Sequence, residues 1–285
     1  MVQAVIAKII SLQSNFTVGE NEIAQYIMNN ADDVVTSTIT TIAKNTNTSE
    51  ASVNRFCKKI GFKGFNSFKV ALAQETFYNN MNRSDKPSED ESFISSVSRD
   101  YRHLLRSTSA MLDEEDLLKA ADAIKKASIV YIISYSSNTF IAKEAEYKLT
   151  MVGIKAKAIT NITDMHICVA NVRPTDLIIY IVNTIIMRDI FLSLNTGHDR
   201  NATIISITSY DSPKLDALVD YKFVTSDKII AKNSQSISNS LVFLYVLDVI
   251  YSYLLDNDKA LTQKKLNNEA IINNHQVLDT HLYDY

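Results

Sequence analysis

Five short runs of apolar and β-branched residues in the second half of the chain constrain the fold most. They are Ile129–Ser134, Lys155–Thr160, Leu177–Val182, Ala202–Thr208 and Tyr221–Thr225. Each is apolar almost throughout rather than alternating, which is the pattern of strands buried on both faces. Helical patterns at 138–152, 164–171, 187–199 and 212–219 separate them. Parallel strands need a crossover of a dozen or more residues, and a helix supplies it. The alternation predicts a doubly wound α/β fold with a five-stranded parallel sheet. A last helix over about Ser234–Leu255 is expected to cover one face, and the Asn- and Gln-rich residues 261–285 read as a helix ending in a tail.

The first half follows another rule. Residues 1–77 read as all-helical, with an apolar-periodic helix over Val2–Leu12. Thr17-Val-Gly-Glu20 is a capping box, because the threonine hydroxyl takes the backbone N–H three residues on and Glu20 reaches back. The helix it opens runs to about Met28, and further helical patterns lie near 38–44, 49–60 and 64–77. Residues 79–92 are polar, contain Pro87 and lack apolar periodicity, so they read as a linker. A connecting helix is expected from Phe93 to about Leu105. The domain boundaries drawn are 1–77, 78–112 for linker and connecting helix, 113–260 for the α/β domain, and 261–285.

Composition bounds the alternatives. With 285 residues, 46% hydrophobic and 21% charged, the chain is long enough for two packed domains. Cys57 and Cys168 are its two cysteines; they are far apart and without CxxC spacing, which argues against disulfides or zinc and fits a reducing cytoplasm. Met1–Leu12 has no basic leader or small-residue cleavage pattern. The longest apolar stretches, Leu177–Met187 and Leu241–Leu255, fall short of the ~20 residues that span a bilayer, and Asp248 interrupts the second. No membrane contact, cofactor or metal is expected. The net charge of −3 does not advertise a nucleic-acid binder, but a whole-chain average hides local patches.

Such a patch lies at Ser37–Lys69. Ile39, Ile42 and Ala43 give one short helix an apolar face, Asn45-Thr-Asn-Thr48 is turn chemistry, and Ser49 is a good N-cap. In the next helix Val53, Phe56, Cys57 and Ile60 recur at i, i+3, i+4 and i+7 and face the core. Gly61 stops it. The outward face carries Ser52, Asn54, Arg55, Lys58 and Lys59, and Lys63 and Lys69 continue the positive charge against a single acid, Glu50. Two short helices joined by a tight turn, the second polar and basic outside, describe a helix-turn-helix whose second helix enters the DNA major groove. On spacing alone, a basic outer face is equally a solvated helix surface.

The residues then reach a resemblance. Phe16-Thr-Val-Gly-Glu-Asn-Glu-Ile-Ala-Gln-Tyr-Ile27, Ile42-Ala-Lys44, Ser49-Glu-Ala-Ser-Val-Asn-Arg-Phe-Cys-Lys-Lys-Ile-Gly-Phe-Lys-Gly-Phe65 and Phe68-Lys69 resemble the RpiR family of bacterial regulators. The resemblance implies a winged-helix-like DNA-binding domain followed by a SIS domain, an α/β fold that binds phosphorylated sugars and dimerises. The candidate DNA-binding residues are Ser49, Ala51, Ser52, Asn54, Arg55, Lys58, Lys59, Lys63 and Lys69. Ser52 stands where the family commonly has threonine.

The resemblance also implies two phosphate loops, and here the chain departs from it. A Gly-x-Gly-x-Ser-like loop is expected after the first strand; the chain has Ser134-Tyr-Ser-Ser-Asn138, with serine for both glycines and Asn138 for the usual serine. A Ser-x-Ser-Gly-x-Thr-like loop is expected after the third; the chain has Ile181-Val-Asn-Thr-Ile-Ile186, with Asn183 and Thr184 as the polar candidates. Hydroxyls and backbone N–H groups at a helix start hold anions. Candidate effector residues are therefore Ser134, Ser136, Ser137, Asn138, Asn183 and Thr184. Two readings stay open: a pocket for a different or unphosphorylated ligand, and a pocket without a ligand in a domain that serves for dimerisation.

His166 and His198 lack metal-ligand spacing and read as surface or capping groups. Asp164 reads as a family acid or a helix N-cap, Arg188 and Asp189 as exposed, Tyr135 as gating or packing, and Gln235 and Ser236 as the opening of the last helix. The expected function is regulation of carbohydrate metabolism on double-stranded operator DNA, by a homodimer or dimer of dimers with a sugar or sugar-phosphate effector. A SIS-type sugar-phosphate isomerase is the alternative; its general base is not identifiable in the sequence. An interaction module without effector is the third reading.

Overall fold

A computed structural model describes residues 4–81, 92–184 and 187–277. Seven helices come first: α1 (Val5–Ser11), α2 (Val18–Asn29), α3 (Ala31–Thr36), α4 (Ile39–Asn45), α5 (Glu50–Lys59), α6 (Phe65–Met81) and α7 (Phe93–Met111). There follow α8 (Glu114–Lys126), β1 (Val130–Ile133), α9 (Thr139–Met151), β2 (Ala156–Ile159), α10 (Ile162–Asn171), β3 (Leu177–Val182), α11 (Arg188–Asp199), β4 (Thr203–Thr208), α12 (Pro213–Asp216), β5 (Tyr221–Val224), α13 (Ser240–Asn257) and α14 (Lys259–Val277). Most of the expected linker, 82–91, and the end of the tail, 278–285, lie outside the described residues. Backbone contacts divide the chain into two units. One is Met1–Leu112 with Ser209–Lys214 and Val224–Val242; the other is Asp113–Thr208, Leu215–Phe223 and Phe243–Tyr285.

In the first unit the apolar periodicity of the helices closes one core. Ile23 and Ile27 of α2, Ile42 of α4, Val53, Phe56 and Cys57 of α5, and Phe68 and Leu72 of α6 are all fully buried in it. Phe16 stacks edge-on against Phe56 at 5.2 Å between ring centroids. Thr17 forms the capping box with Glu20. Gly61, at φ +92, ends α5: its N–H donates to Lys58 O and the next N–H, of Phe62, donates to Cys57 O. This is the left-handed stop that glycine makes without steric cost.

In the second unit the strands form one sheet in the order β2-β1-β3-β4-β5. β1 pairs in parallel with β2 and β3, with Val130 opposite both Ala156 and Leu177. β3 pairs in parallel with β4 from Leu177↔Thr203 to Val182↔Thr208. All six residues of β3 are buried, which is why its sequence shows no alternation. The sequence reading has no helix over 114–126. There α8 presents Leu117, Ala120, Ala121 and Ile124 inward, and Asp113 caps it by accepting the Asp116 N–H.

By length and composition α13 could cross a membrane, with a mean hydropathy of 1.3. Its buried residues Val242, Phe243, Val246, Leu247, Ile250 and Leu254 recur at helical spacing on one stripe, however, as in a core helix. Asp248 lies off that stripe and pairs with Lys148 of α9. The helix starts at Ser240 rather than Ser234. Gln235 and Ser236 belong to the preceding turn, in which the Ser236 N–H donates to Asn233 O.

Candidate functional site

α4 and α5 are the two helices of the motif. Thr38 caps α4 by accepting the Thr41 N–H, and Ser49 caps α5 by accepting the Ser52 N–H. Between them Asn47 takes φ +50, a conformation asparagine tolerates, and the Thr48 N–H donates to Ala43 O. The turn is thus fixed by local polar groups. The buried side of α5 locks it to α2, α4 and α6, so its outward side chains sit on a rigid support.

Ser49, Ala51, Arg55, Lys58, Lys59 and Lys63 are exposed, and Ser52, Asn54 and Lys69 are half-buried. Arg55 Nη2 rests on Ser52 Oγ at 3.0 Å. Several of these nine also make hydrogen bonds within the domain. Ser49 and Ser52 hydroxyls lie 2.9 Å apart. Asn54 Oδ1 accepts the Phe65 N–H at 3.0 Å, starting α6. Lys59 Nζ binds Glu20 Oε2 and Asn15 O, each at 2.7 Å, and stands 5.5 Å from the centre of the Phe16 ring. Burial opposes ionisation of Glu20, but the bonds from Lys59 and Thr17 outweigh it and hold the carboxyl below its ordinary value. Lys69 Nζ donates to Ser37 O at 2.8 Å. Sequence reasoning put all nine on one surface; it could not see that Asn54, Lys59 and Lys69 reach back into the domain. It also passed over Glu50, whose Oε1 accepts from Thr40 Oγ1 at 2.6 Å. Its being the lone acid on the face was the available signal.

In the second unit, the loops after β1 and β3 meet because these strands are neighbours. Here the strand order reverses, the place where open α/β sheets bind ligands at the carboxyl ends of their strands. Ser134, buried, donates from Oγ to Ile181 O at 2.8 Å. Asn138, also buried, donates from Nδ2 to Asn183 Oδ1 at 3.0 Å. Thr208, at the end of β4, donates to Asn183 O at 3.0 Å. Ser136, Ser137 and Asn183 are exposed and Thr184 is half-buried. Ser136 takes φ +60, a conformation that favours glycine, at a position where the family resemblance implies one. The Tyr135 hydroxyl meets Met187 Sδ. The loops thus carry the hydroxyls of Ser134, Ser136, Ser137 and Thr184 and the amides of Asn138 and Asn183.

Nearby, His166 of α10 lies 3.3 Å from Asp189 Oδ1 of α11, and both are exposed to about the same degree (43% and 44% of the side chain). The cap of α10 is Asn161, which accepts the Asp164 N–H at 2.8 Å; Asp164 is the third residue of the helix and accepts from Asn161 Nδ2.

A helix-turn-helix domain with exposed cations on its second helix, followed by a parallel α/β domain, defines the class of two-domain transcriptional regulators. Comparison with known proteins makes the family specific. The helix-turn-helix domain of the rpiR family matches residues 3–78, and the SIS domain matches residues 123–253. An uncharacterized HTH-type transcriptional regulator of Clostridium perfringens is 26% identical over 265 residues, which are 90% of this chain and 95% of that one. The Vibrio vulnificus NanR protein complexed with ManNAc-6P superposes with a TM-score of 0.58 at 20% identity, covering 94% of this chain and 97% of NanR. The sugar isomerase domain of an RpiR transcription factor from Sphaerobacter thermophilus has a TM-score of 0.55 at 19% identity, over 64% of this chain and 97% of that domain. The chain belongs to the RpiR family of helix-turn-helix plus SIS-domain transcriptional regulators, and its N-terminal domain is a DNA-binding domain.

Proposed function

We propose that the protein regulates transcription of carbohydrate genes in the bacterial cytoplasm, without enzymatic activity, by binding double-stranded operator DNA as a homodimer or dimer of dimers. The observation that carries this reading is the set of exposed cations, Arg55, Lys58 and Lys63, on and just after the second helix of the motif. Two such helices related by a dyad match a palindromic site. The relatives' names as regulators support a non-enzymatic role.

The effector is a sugar or sugar phosphate held by the loops after β1 and β3, with Ser136, Ser137, Asn183 and Thr184 supplying polar contacts. Support comes from the position of these loops at the strand-order reversal, where α/β sheets bind ligands, and from NanR, which is complexed with ManNAc-6P. The Asn138–Asn183 bond favours a second reading, in which the loop polar groups satisfy each other and the domain serves assembly.

Titrating the purified protein with sugars, amino sugars and their phosphates while following its melting separates these readings. A ligand that binds only the native state raises stability by RT ln(1 + [L]/Kd). A rise with one compound, abolished in N183A, supports the effector site; no rise across the panel supports the assembly reading. Retention of chromosomal fragments above non-specific DNA tests the regulator reading in both cases.

A further inference from the structure

Glu50 is the one feature of the α5 face that phosphate binding does not explain. It begins the helix and is exposed, and so are Arg55, Lys58 and Lys63 around it. A carboxylate on a surface that meets DNA repels the phosphates. Its place at a helix start suits the helix dipole, but that accounts for an acid there and not for its restraint. Thr40 Oγ1 of α4 donates to Glu50 Oε1 at 2.6 Å, across the turn of the motif. One carboxyl oxygen is thereby anchored, and the second is carried at the first turn of the helix, the part that reads base edges. Glu50, Asn54 and Lys58 recur at i, i+4 and i+8 and so form one row. Within that row Asn54 gives its oxygen to Phe65.

What such a carboxylate accepts from follows from groove chemistry. In the major groove only cytosine N4 and adenine N6 present N–H donors, and an acid pairs with the cytosine amine. Guanine and thymine place acceptors there, and a carboxylate is repelled by them. We infer that Glu50 is a specificity-determining residue, whose Thr40-anchored carboxylate accepts a hydrogen bond from a cytosine amine in each operator half-site and is repelled by guanine and thymine at that position. The inference rests on the reading of α5 as the recognition helix.

The test is selection of bound duplexes from a randomised library by the full-length protein, its E50Q and E50A variants, and T40V. Melting curves of all four establish that they are folded. The wild type is expected to select a cytosine at one position per half-site. E50A is expected to lose about ten-fold discrimination there, with unchanged preferences elsewhere and tighter binding to random DNA. E50Q keeps an oxygen for Thr40 but presents an amide, and is expected to move the preference toward a base with an acceptor. T40V is expected to weaken the cytosine preference while leaving its identity unchanged. Identical motifs from the wild type and both Glu50 variants would overturn the inference while leaving DNA recognition intact. Selection of no motif by the wild type would overturn the recognition-helix reading itself, and the inference with it.

Discussion

At the scale of single residues, similar side chains have been given different work. Lys58 and Lys59 are adjacent and both exposed on α5, yet Lys59 is tied to Glu20 and Asn15 O. Each phosphate contact contributes about 0.9 to the slope of log K against log salt. K58A is therefore expected to flatten that slope by about 1, measured by binding to operator DNA between about 50 and about 200 mM salt. K59A is expected to leave the slope unchanged and lower the melting temperature. An equal loss of slope in both variants would show that Lys59 leaves Glu20 for phosphate when DNA is present. The basic stripe was legible because helical spacing reports which face a residue is on. It does not report how far a long side chain bends, and so Lys59 and Lys69 were indistinguishable from Lys58.

Ser136 shows the reverse case, in which a residue with a side chain holds a backbone conformation that favours glycine. At φ +60 a side chain costs roughly 1–2 kcal/mol. Glycine removes that cost but adds unfolded-state freedom worth roughly 0.5–1 kcal/mol. S136G is expected to stabilise the protein by about 0.5–1 kcal/mol, read from the urea midpoint at constant m-value. A lower midpoint would mean that the serine hydroxyl contributes more than its backbone strain costs.

At the scale of elements, helix ends and strand cores were readable and long-range caps were not. The capping box at Thr17, the cap at Ser49 and the stop at Gly61 depend on neighbours in sequence. The start of α1 depends on a residue seventy positions away: buried Glu75 of α6 accepts the N–H groups of Val5 and Ile6 through Oε2. Periodicity cannot find such a cap. Burial pushes the Glu75 carboxyl up to about 7, against the opposing pull of those two N–H bonds. A carboxyl with a raised folded pKa favours the folded state most when protonated. Its contribution is complete below the unfolded value of about 4.3 and is lost as pH rises through about 7. The span corresponds to roughly 4 kcal/mol. E75Q keeps an oxygen for the two N–H groups and carries no charge. Its unfolding free energy is expected to exceed that of the wild type at pH 8 and to vary less between pH 5 and 7. Parallel pH profiles for the two proteins would assign the dependence to other groups.

At the scale of the whole molecule, the change from an all-helical half to an alternation of short apolar runs and helices was legible in the sequence. Loops that join distant segments were not. Residues 224–242 belong to the same unit as α7, and the ties between them span more than a hundred positions. Asp100, 4% exposed, accepts the Asn233 N–H at 2.9 Å and its Nδ2 at 2.8 Å. Asn233 Nδ2 also reaches Ser96 Oγ at 2.8 Å, and Thr108 Oγ1 accepts the Ser226 N–H at 3.1 Å. Hydrogen bonds to a buried charge are worth roughly 1.5–3 kcal/mol each, and an abandoned donor adds a desolvation cost. D100A removes the acceptor of the Asn233 backbone N–H and leaves Nδ2 only Ser96 Oγ, whereas N233A removes only the side-chain donors and leaves the backbone N–H in place. D100A is therefore expected to destabilise by about 2–4 kcal/mol and N233A by about half of that. The double variant should fall short of the sum, because each single change already breaks the shared bond. Additive losses, or a D100A variant as stable as the wild type in urea, would show that the loop and α7 hold together by their apolar contacts, with the polar ties following from that packing.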